Sequence, residues 1–430
     1  MITEILILLI SFIILLGIGV PVAWSIGISS LLTMLVTIES LPAFTTVAQR
    51  MATGLDSFAL LAIPFFVLAG QIMNQGGIAE RLITFAKSLI GALPGGLSYV
   101  NVISAMLFGA ISGSALAATS AIGGILGPHM EKEGYSKEFG AALNVTSSTT
   151  GLVIPPSNIL IVYSLASGGV SIAALFLAGY VPGILMGLAL MGVAAVWIKR
   201  KKYPAGERSS VKQIFTSFLH AFPSLFLLVV VIGGIVAGIF TATEASGIAV
   251  LYSLILSFVY REMDMKKLYS VFLGSVRTNS IVMLLIATSM AMSWVMSYED
   301  IPQSVSSALL GLSDNKYVIL LMINLILLFV GMFMDMTPAV LIFTPIFLPV
   351  VKDLGVDPVH FGIMMVMNLC VGLCTPPVGS VLFVGVGIAK TTIQKVIKPL
   401  IPLFIAMLIV LLLVTYIPEI STWLPGLMDD

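Results

Sequence analysis

Two tandem proline pairs, Pro155-Pro156 and Pro376-Pro377, interrupt long apolar stretches of this sequence. Proline has no backbone N–H, so the first pair removes the helical hydrogen bonds to the carbonyl oxygens of Gly151 and Leu152, four residues earlier. The second pair does the same at residues 372 and 373. Freed carbonyl oxygens at the end of a half-helix attract a small hard cation, and the N-terminus of the next half-helix attracts an anion. Each break therefore predicts a cation site beside an anion site.

Hydroxyl and amide side chains surround the two breaks. Ser147 and its neighbours lead into the first break, and Ser157 and Asn158 follow it as helix caps or ligand-binding groups. Ser380 lies just after the second break. The predicted substrate-binding residues are Ser114, Ser147, Ser157, Asn158, Pro338 and Ser380.

Two further apolar regions are interrupted near the middle by small or polar residues. In the first, Ser112 and Ser114 lie in a Gly/Ser-rich stretch between apolar arms of about 12 residues, or about 18 Å of helix. In the second, which covers residues 316–350, Asp335 lies in the tip at 331–338. Arms of that length span half a bilayer, so we expect re-entrant hairpins with their tips near the midplane. A carboxylate at that depth is costly and predicts a functional role for Asp335.

The composition requires a membrane environment. Of 430 residues, 59% are apolar and only 9% are charged, whereas a soluble domain has about 25% charged residues. The mean hydropathy is +1.13. Basic and acidic residues number 20 each, so the chain has no net charge. Soluble enzymes, nucleic-acid binders and disordered proteins are excluded, and we predict an all-α polytopic protein of the lipid bilayer.

Eight apolar stretches are long enough to cross about 30 Å of hydrocarbon as ordinary helices. They cover residues 4–20, 21–38, 58–74, 171–198, 222–240, 244–260, 279–297 and 396–417. Four amphipathic segments, at 40–56, 76–92, 262–276 and 300–312, are predicted to lie along the membrane surface.

The second half of the chain repeats the first at a shift of 221 residues, most clearly in the proline pairs. Each half contains three full spans, a hairpin, a broken span and a final span. Five crossings per half invert the second half relative to the first, as in the inverted-topology repeats of secondary transporters. The first repeat covers 1–220, with scaffold spans 1–92, hairpin 97–130, broken span 136–166 and final span 171–198; the second covers 221–430, with scaffold spans 222–312, hairpin 316–350, broken span 357–388 and final span 396–417.

The distribution of basic residues orients this topology. With both termini on the periplasmic side, 17 of the 20 Lys and Arg residues face the cytoplasm, and only Arg50, Lys316 and Lys352 do not. This asymmetry follows the positive-inside rule.

Other interpretations of these features remain open. Small residues at a hairpin tip also allow close helix packing, and a proline can simply kink a helix. A membrane-embedded enzyme is a rival, although no His-Glu-x-x-His, Gly-x-Ser-x-Gly or paired catalytic carboxylates occur in the sequence. An ion channel and a stand-alone dicarboxylate or citrate carrier are further alternatives.

Six stretches of the sequence resemble signatures of one family, the large membrane subunit of tripartite ATP-independent periplasmic (TRAP) transporters. The resemblance covers nearly the whole chain. The stretches are 108–115 (FGAISGSA), 154–157 (IPPS), 238–245 (GIFTATEA), 331–339 (GMFMDMTPA), 357–362 (DPVHFG) and 375–379 (TPPVG).

The resemblance implies an elevator-type importer, not an enzyme, that moves small carboxylates across the bacterial inner membrane with Na⁺ as the coupling ion. It also implies two protein partners, a small four-span membrane subunit and a periplasmic binding protein that delivers the substrate. In this family, cations bind between each hairpin tip and its broken helix. By position, this implies cation ligands at Ser112, Gly113, Gly151, Pro155, Gly331, Asp335, Thr337, Gly372 and Thr375.

The first break favours one branch of the family. Where C4-dicarboxylate members tend to read IGPIIPPS, this chain reads TGLVIPPSN at 150–158, after NVTSS at 144–148. These stretches look more like the sialic-acid branch, so we expect sialic acid as the cargo, with a C4-dicarboxylate as the alternative.

Overall fold

The computed structural model describes residues 2–201, 203, 205–206, 208–313, 315–376 and 378–427. Within these ranges the regular secondary structure is helical, with no β-strand. This confirms the predicted all-α fold class. Pro377, the second proline of the second break, lies outside the described residues.

The first half of the chain contains ten α-helices and one 3₁₀ turn, which precedes α4. They are α1 (Ile2–Gly17), α2 (Val22–Thr37), α3 (Ser40–Gly54), the 3₁₀ turn (Phe58–Leu61), α4 (Ala62–Gln75), α5 (Ile78–Ile90), α6 (Gly96–Ser112), α7 (Ala115–Lys132), α8 (Lys137–Thr150), α9 (Asn158–Ala166) and α10 (Ile172–Lys201).

The second half contains ten more described helices. They are α11 (Val211–Val236), α12 (Ala242–Val259), α13 (Met265–Tyr298), α14 (Ile301–Leu312), α15 (Lys316–Phe333), α16 (Met336–Asp353), α17 (Pro358–Gly372), α18 (Ser380–Ile388), α19 (Ile393–Tyr416) and α20 (Glu419–Gly426).

The hairpins and breaks recur in the two halves. The five helices from α6 to α10 begin 220 to 222 residues before the five from α15 to α19. In both series, two helices form a hairpin and the next two flank a break. Helix α11 begins at Val211, ahead of the predicted repeat boundary at 220/221, because Ser210 and Gln213 form a capping box that starts the helix before the apolar run.

One stretch differs between the halves. In the first half, α3 and α4 are separate helices, whereas α13 runs unbroken for 34 residues, about 51 Å. The predicted surface segment 262–276 is therefore wrong as a separate helix, since it continues into the span that follows it. Helix α13 contains no proline and only one glycine, Gly274, so no residue in it ends the helix.

The hairpin arms are longer than predicted. Helices α6, α7, α15 and α16 have 17 or 18 residues, about 26 Å, whereas the arms of the first hairpin were predicted to have about 12 residues. Only Gly113 and Ser114 in the first hairpin, and Met334 and Asp335 in the second, lie between the arms. The Gly and Ser residues near the first tip stay helical because they are buried against neighbouring helices, which compensates for their weak helix propensity.

Eight helical segments among the described residues are long and apolar enough to cross a membrane. The number agrees with the prediction, but the set differs. It includes both arms of the second hairpin, α15 and α16, whereas α1 and α2 have only 16 residues each.

The centre of the molecule is formed by the helices that precede the two breaks. Residues 141–150 of α8 and 360–372 of α17 are all buried. Cys370 and Cys374 lie in this core as free thiols, and the Cys370 thiol donates a hydrogen bond to the Thr149 carbonyl. Both side chains are buried and pack the core.

Candidate functional site

Each hairpin crosses its broken helix at a pair of glycines. A Cβ on Gly151 would lie 2.5 Å from the Cα of Gly109 in α6, and a Cβ on Gly372 would lie 2.6 Å from the Cα of Gly331 in α15. No side chain fits into either crossing. The two glycine pairs therefore fix each hairpin tip directly beside a break.

The first hairpin tip contacts the start of the half-helix that follows the first break. Gly113 has a φ of +62°, and a Cβ there would lie 2.7 Å from the side-chain nitrogen of Asn158. The Ser114 hydroxyl accepts a hydrogen bond from the Ala117 N–H at 3.2 Å and so caps α7. A tip without a bulky side chain thus brings Ser112 and Ser114 next to Asn158.

The first break leaves fewer free carbonyl oxygens than predicted. The Ser157 hydroxyl donates a hydrogen bond back to the Leu152 carbonyl. The prediction that both carbonyls are free is therefore wrong for Leu152, because a side chain on the other side of the break reaches it. For the Gly151 carbonyl, no such donor occurs among the described residues.

The second break contacts the second hairpin through the main chain. The Gly379 N–H donates to the Met332 carbonyl at 3.2 Å. The Thr375 hydroxyl donates to the Val371 carbonyl at 2.8 Å. The Asp335 carboxylate makes no capping hydrogen bond to its own helix, α16.

A cavity of about 370 Å³ lies between the two hairpin tips and the neighbouring helices α4 and α13. Six of the predicted site residues line it together: Ser112, Gly113, Ser114, Asn158, Asp335 and Thr337. Helices α7, α9 and α16 all begin at its wall. Asp335 is the one ionisable side chain among the described residues of the lining.

The remaining predicted site residues lie outside this cavity. Ser147 lies inside α8, where its hydroxyl donates to the Leu143 carbonyl at 2.6 Å. Pro338 is buried in the first turn of α16, and the Oγ of Ser380 has no hydrogen-bond partner among the described residues. The others that do not line the cavity are Gly151, Pro155, Ser157, Gly331, Gly372 and Thr375. Whether these residues bind cations or substrate stays a prediction.

Four polar residues that line the cavity were missed in the sequence. Gln71, Asn74 and Gln75 lie on α4, and Thr278 lies on α13. The Gln71 side-chain amide donates to the Thr278 hydroxyl at 3.4 Å. Amides spaced three and four residues apart share one face of a helix, so their occurrence at the end of an apolar span was a usable signal.

Glu244 lies away from this cavity and serves as a helix cap. Its carboxylate accepts hydrogen bonds from the Thr241 N–H and hydroxyl, both at 2.8 Å, in a capping box at the start of α12. Glu244 therefore has a structural role at the start of α12.

The fold and the sequence are both similar to known transporters. The structure of the Alcanivorax borkumensis YdaH transporter aligns with a TM-score of 0.64 over 90% of this chain and 89% of that one, at 14% identity, which shows a shared fold. Uncharacterized protein YgiK of Salmonella typhimurium is 57% identical over 97% of this chain and 96% of its own length.

Two relatives with functional names are more distant. The C4-dicarboxylate TRAP transporter large permease protein of Rhodobacter capsulatus is 39% identical, over 95% of this chain and 96% of that protein. The sialic acid TRAP transporter large permease protein of Vibrio cholerae is 37% identical, over 95% of both chains. These names describe transporter permeases and not enzymes.

Residues 9–420 match the model of the tripartite ATP-independent periplasmic transporter DctM component. The match spans both hairpins, both breaks and the cavity between them. The chain therefore belongs to the DctM family, as the large multi-pass membrane permease of a bacterial TRAP transporter.

Proposed function

We propose that this permease imports a small carboxylate across the bacterial inner membrane, coupled to Na⁺, by an elevator movement of the hairpins and broken helices. The observation that carries this proposal is the cavity, where two hairpin tips and the start of α9 meet around Asp335. Three helix N-termini at its wall, those of α7, α9 and α16, favour an anionic ligand.

The charges in the cavity support coupling to a cation. Asp335 would repel a carboxylate, and none of the described lining residues is a Lys or Arg that could offset it. A cation bound to carboxylate, hydroxyl and carbonyl oxygens near the hairpin tips would offset the repulsion. Substrate and Na⁺ would then bind more tightly together than either does alone.

The proposed elevator divides the molecule at the cavity. Helices α4 and α13 supply one wall as part of the scaffold, and the hairpins with α9 supply the other as part of the transport domain. The two parts touch closely at Gly70 of α4, where a Cβ would lie 2.5 Å from the Ser112 carbonyl oxygen. This contact must break when the hairpin moves along the scaffold.

Replacing Gly70 with Ala is expected to reduce uptake by about tenfold or more, because the added methyl group pushes the first hairpin tip away from the scaffold. Gly247→Ala on α12 is the matched control, since a Cβ there meets nothing within 4 Å. Initial uptake rates of the two variants measure the effect. Equal rates for both would contradict an essential contact at Gly70.

The cavity lining also bears on the cargo. Amides and hydroxyls of Gln71, Asn74 and Thr278 can hydrogen-bond a hydroxylated ligand, and no basic side chain of the described lining is available for a second carboxylate. These features favour sialic acid or a similar hydroxylated monocarboxylate. A C4-dicarboxylate is the second candidate, because relatives of nearly equal identity carry that name.

As a component of a tripartite transporter, the permease works with a small membrane subunit and a periplasmic binding protein. We propose that the small subunit has four spans, and that both termini of the permease face the periplasm, as the basic residues predict.

Reconstitution into proteoliposomes with the small subunit and the binding protein tests this function. We expect sialic acid uptake only with an inward Na⁺ gradient and only with the binding protein present. Uptake without any binding protein would support a stand-alone carrier instead. Uptake that continues when K⁺ replaces Na⁺ would contradict the proposed coupling, and faster uptake of succinate would support the second candidate cargo.

A further inference from the structure

A second cavity, of about 560 Å³, lies at the other end of the first hairpin. Its walls come from α6, α7, α8 and α18, and it shares no lining residue with the cavity at the hairpin tips. Along α7, the tip cavity ends at Ala117 and the second cavity begins at Gly123, about 9 Å further on. We call it the basal cavity.

Three lysines surround the opening of the basal cavity: Lys132, Lys137 and Lys390. Lys137 pairs with Glu131, which also lines the cavity, at 3.3 Å. Among the described residues, no ion pair involves Lys132 or Lys390. Three lysines and one glutamate give the described lining a net positive charge, and the basic residues of the sequence predict that the opening faces the cytoplasm.

Two asparagines lie in the depth of the basal cavity. Asn101 is 1% exposed and Asn144 is 3% exposed, and the side-chain oxygens of both lack a hydrogen-bond partner among the described residues. Asn144 is held in place by a hydrogen bond from its amide nitrogen to the Thr119 carbonyl at 2.8 Å. Buried carbonyl oxygens without donors are costly, so a bound group that donates hydrogen bonds would stabilise them.

Glycines keep the basal cavity open. A Cβ on Gly124 or Gly127 would meet nothing within 4 Å, so both positions face empty space in an otherwise ordinary stretch of α7. Gly123 has the opposite environment, with the Asn144 amide nitrogen 2.4 Å from where its Cβ would be. On α7, the missing side chain of Gly123 therefore makes room for the Asn144 amide, and the missing side chains of Gly124 and Gly127 leave the space beside it empty.

We propose that the basal cavity binds an anion that carries hydroxyl groups next to its acid group. The anionic group would interact with Lys132 and Lys390 at the opening, and the hydroxyls would donate to the oxygens of Asn101 and Asn144. A lysine cluster at a membrane surface is common and would not by itself indicate a site. The enclosed space and the two unpartnered amide oxygens distinguish this one, and a ligand there would hold α7 against α8 and α18.

Equilibrium dialysis of the purified full-length chain against radiolabelled gluconate tests the proposal. The chain is held in phosphatidylcholine nanodiscs in sodium-free potassium buffer, which leaves the proposed Na⁺ sites without their ion. We expect saturable binding that is unaffected by an equal concentration of potassium chloride. The absence of saturable binding here and in the lipid experiment below would overturn the proposal.

Two variants locate the binding. Gly124→Leu places a side chain in the empty space, and Lys390→Gly removes a charge from a residue with a φ of +50°, a conformation that glycine adopts more easily. Each should weaken gluconate binding at least tenfold. Gly192→Leu on α10, where a Cβ also meets nothing within 4 Å, should leave it unchanged. Binding that survives Gly124→Leu would overturn the proposal.

The same chemistry occurs in the head group of phosphatidylglycerol, which has a phosphate next to hydroxyls. Native mass spectrometry from mixed phosphatidylcholine and phosphatidylglycerol nanodiscs distinguishes the two sources. If a lipid is the occupant, phosphatidylglycerol is retained by the unmodified chain, is lost in Gly124→Leu and prevents gluconate from binding. If a free acid is the occupant, gluconate binds equally in both lipid mixtures.

Discussion

Replacing Asp335 with Asn is expected to reduce Na⁺-dependent uptake by about 100-fold or more, which corresponds to about 2.7 kcal/mol. Asp335 is the one ionisable side chain among the described residues of the tip cavity, and its carboxylate is not used to cap α16. An amide of the same shape cannot offset the charge of a bound cation. Initial uptake rates measured over a range of Na⁺ concentrations test this expectation.

The same substitution should leave the fold intact. No ion pair of Asp335 is lost, because none is described for it, and the stability should change by only about 1 kcal/mol. Glu244→Gln is the matched control, since it also exchanges a carboxylate for an amide but lies in a capping box that Gln can maintain. Undiminished uptake and Na⁺ dependence in Asp335→Asn would remove this residue from the site.

Replacing Gly151 with Ala is expected to reduce uptake by about tenfold or more and to destabilise the protein by about 1–3 kcal/mol. The new Cβ would lie 2.5 Å from the Gly109 Cα and 3.0 Å from the Ala105 carbonyl oxygen. Since both neighbours are backbone atoms, α6 must shift, and the hairpin tip shifts with it. Thermal unfolding and uptake assays measure the two effects.

Two comparisons make this prediction specific. Gly372→Ala should behave similarly, because its Cβ would lie 2.6 Å from the Gly331 Cα in the equivalent crossing. Gly233→Ala on α11 faces open space and should gain a little stability from its better helix propensity, up to about 1 kcal/mol. If Gly151→Ala matched Gly233→Ala in both assays, the glycine crossing would not position the hairpin.

The breaks and the hairpins were predictable because proline and charge have local consequences. A proline lacks its N–H wherever it occurs, so the ends of α8 and α17 could be placed from the sequence to within a few residues. Asp335 was recognisable because a carboxylate in a long apolar region is rare. Neither inference needed to know which helices touch.

The lengths of the hairpin arms were not predictable in the same way. Gly109 and Ser112 have weak helix propensity, which suggested an early end to the first arm. They remain helical because Gly109 packs against Gly151 and Ser112 against Gly70, contacts between residues tens of positions apart. Burial in tertiary contacts outweighs local preference here.

The sequence by itself determined that this protein lies in the membrane, where its helices break, and which carboxylate lies at a hairpin tip, because hydrophobicity, missing N–H groups and charge belong to individual residues. The tertiary structure decided which of these residues share a cavity. It brought Gln71 and Thr278 into the same cavity as Asp335, and it placed the Ser157 hydroxyl where it donates a hydrogen bond to the Leu152 carbonyl. Such contacts depend on how the packed helices place their side chains in space, and spacing along the chain does not contain that information.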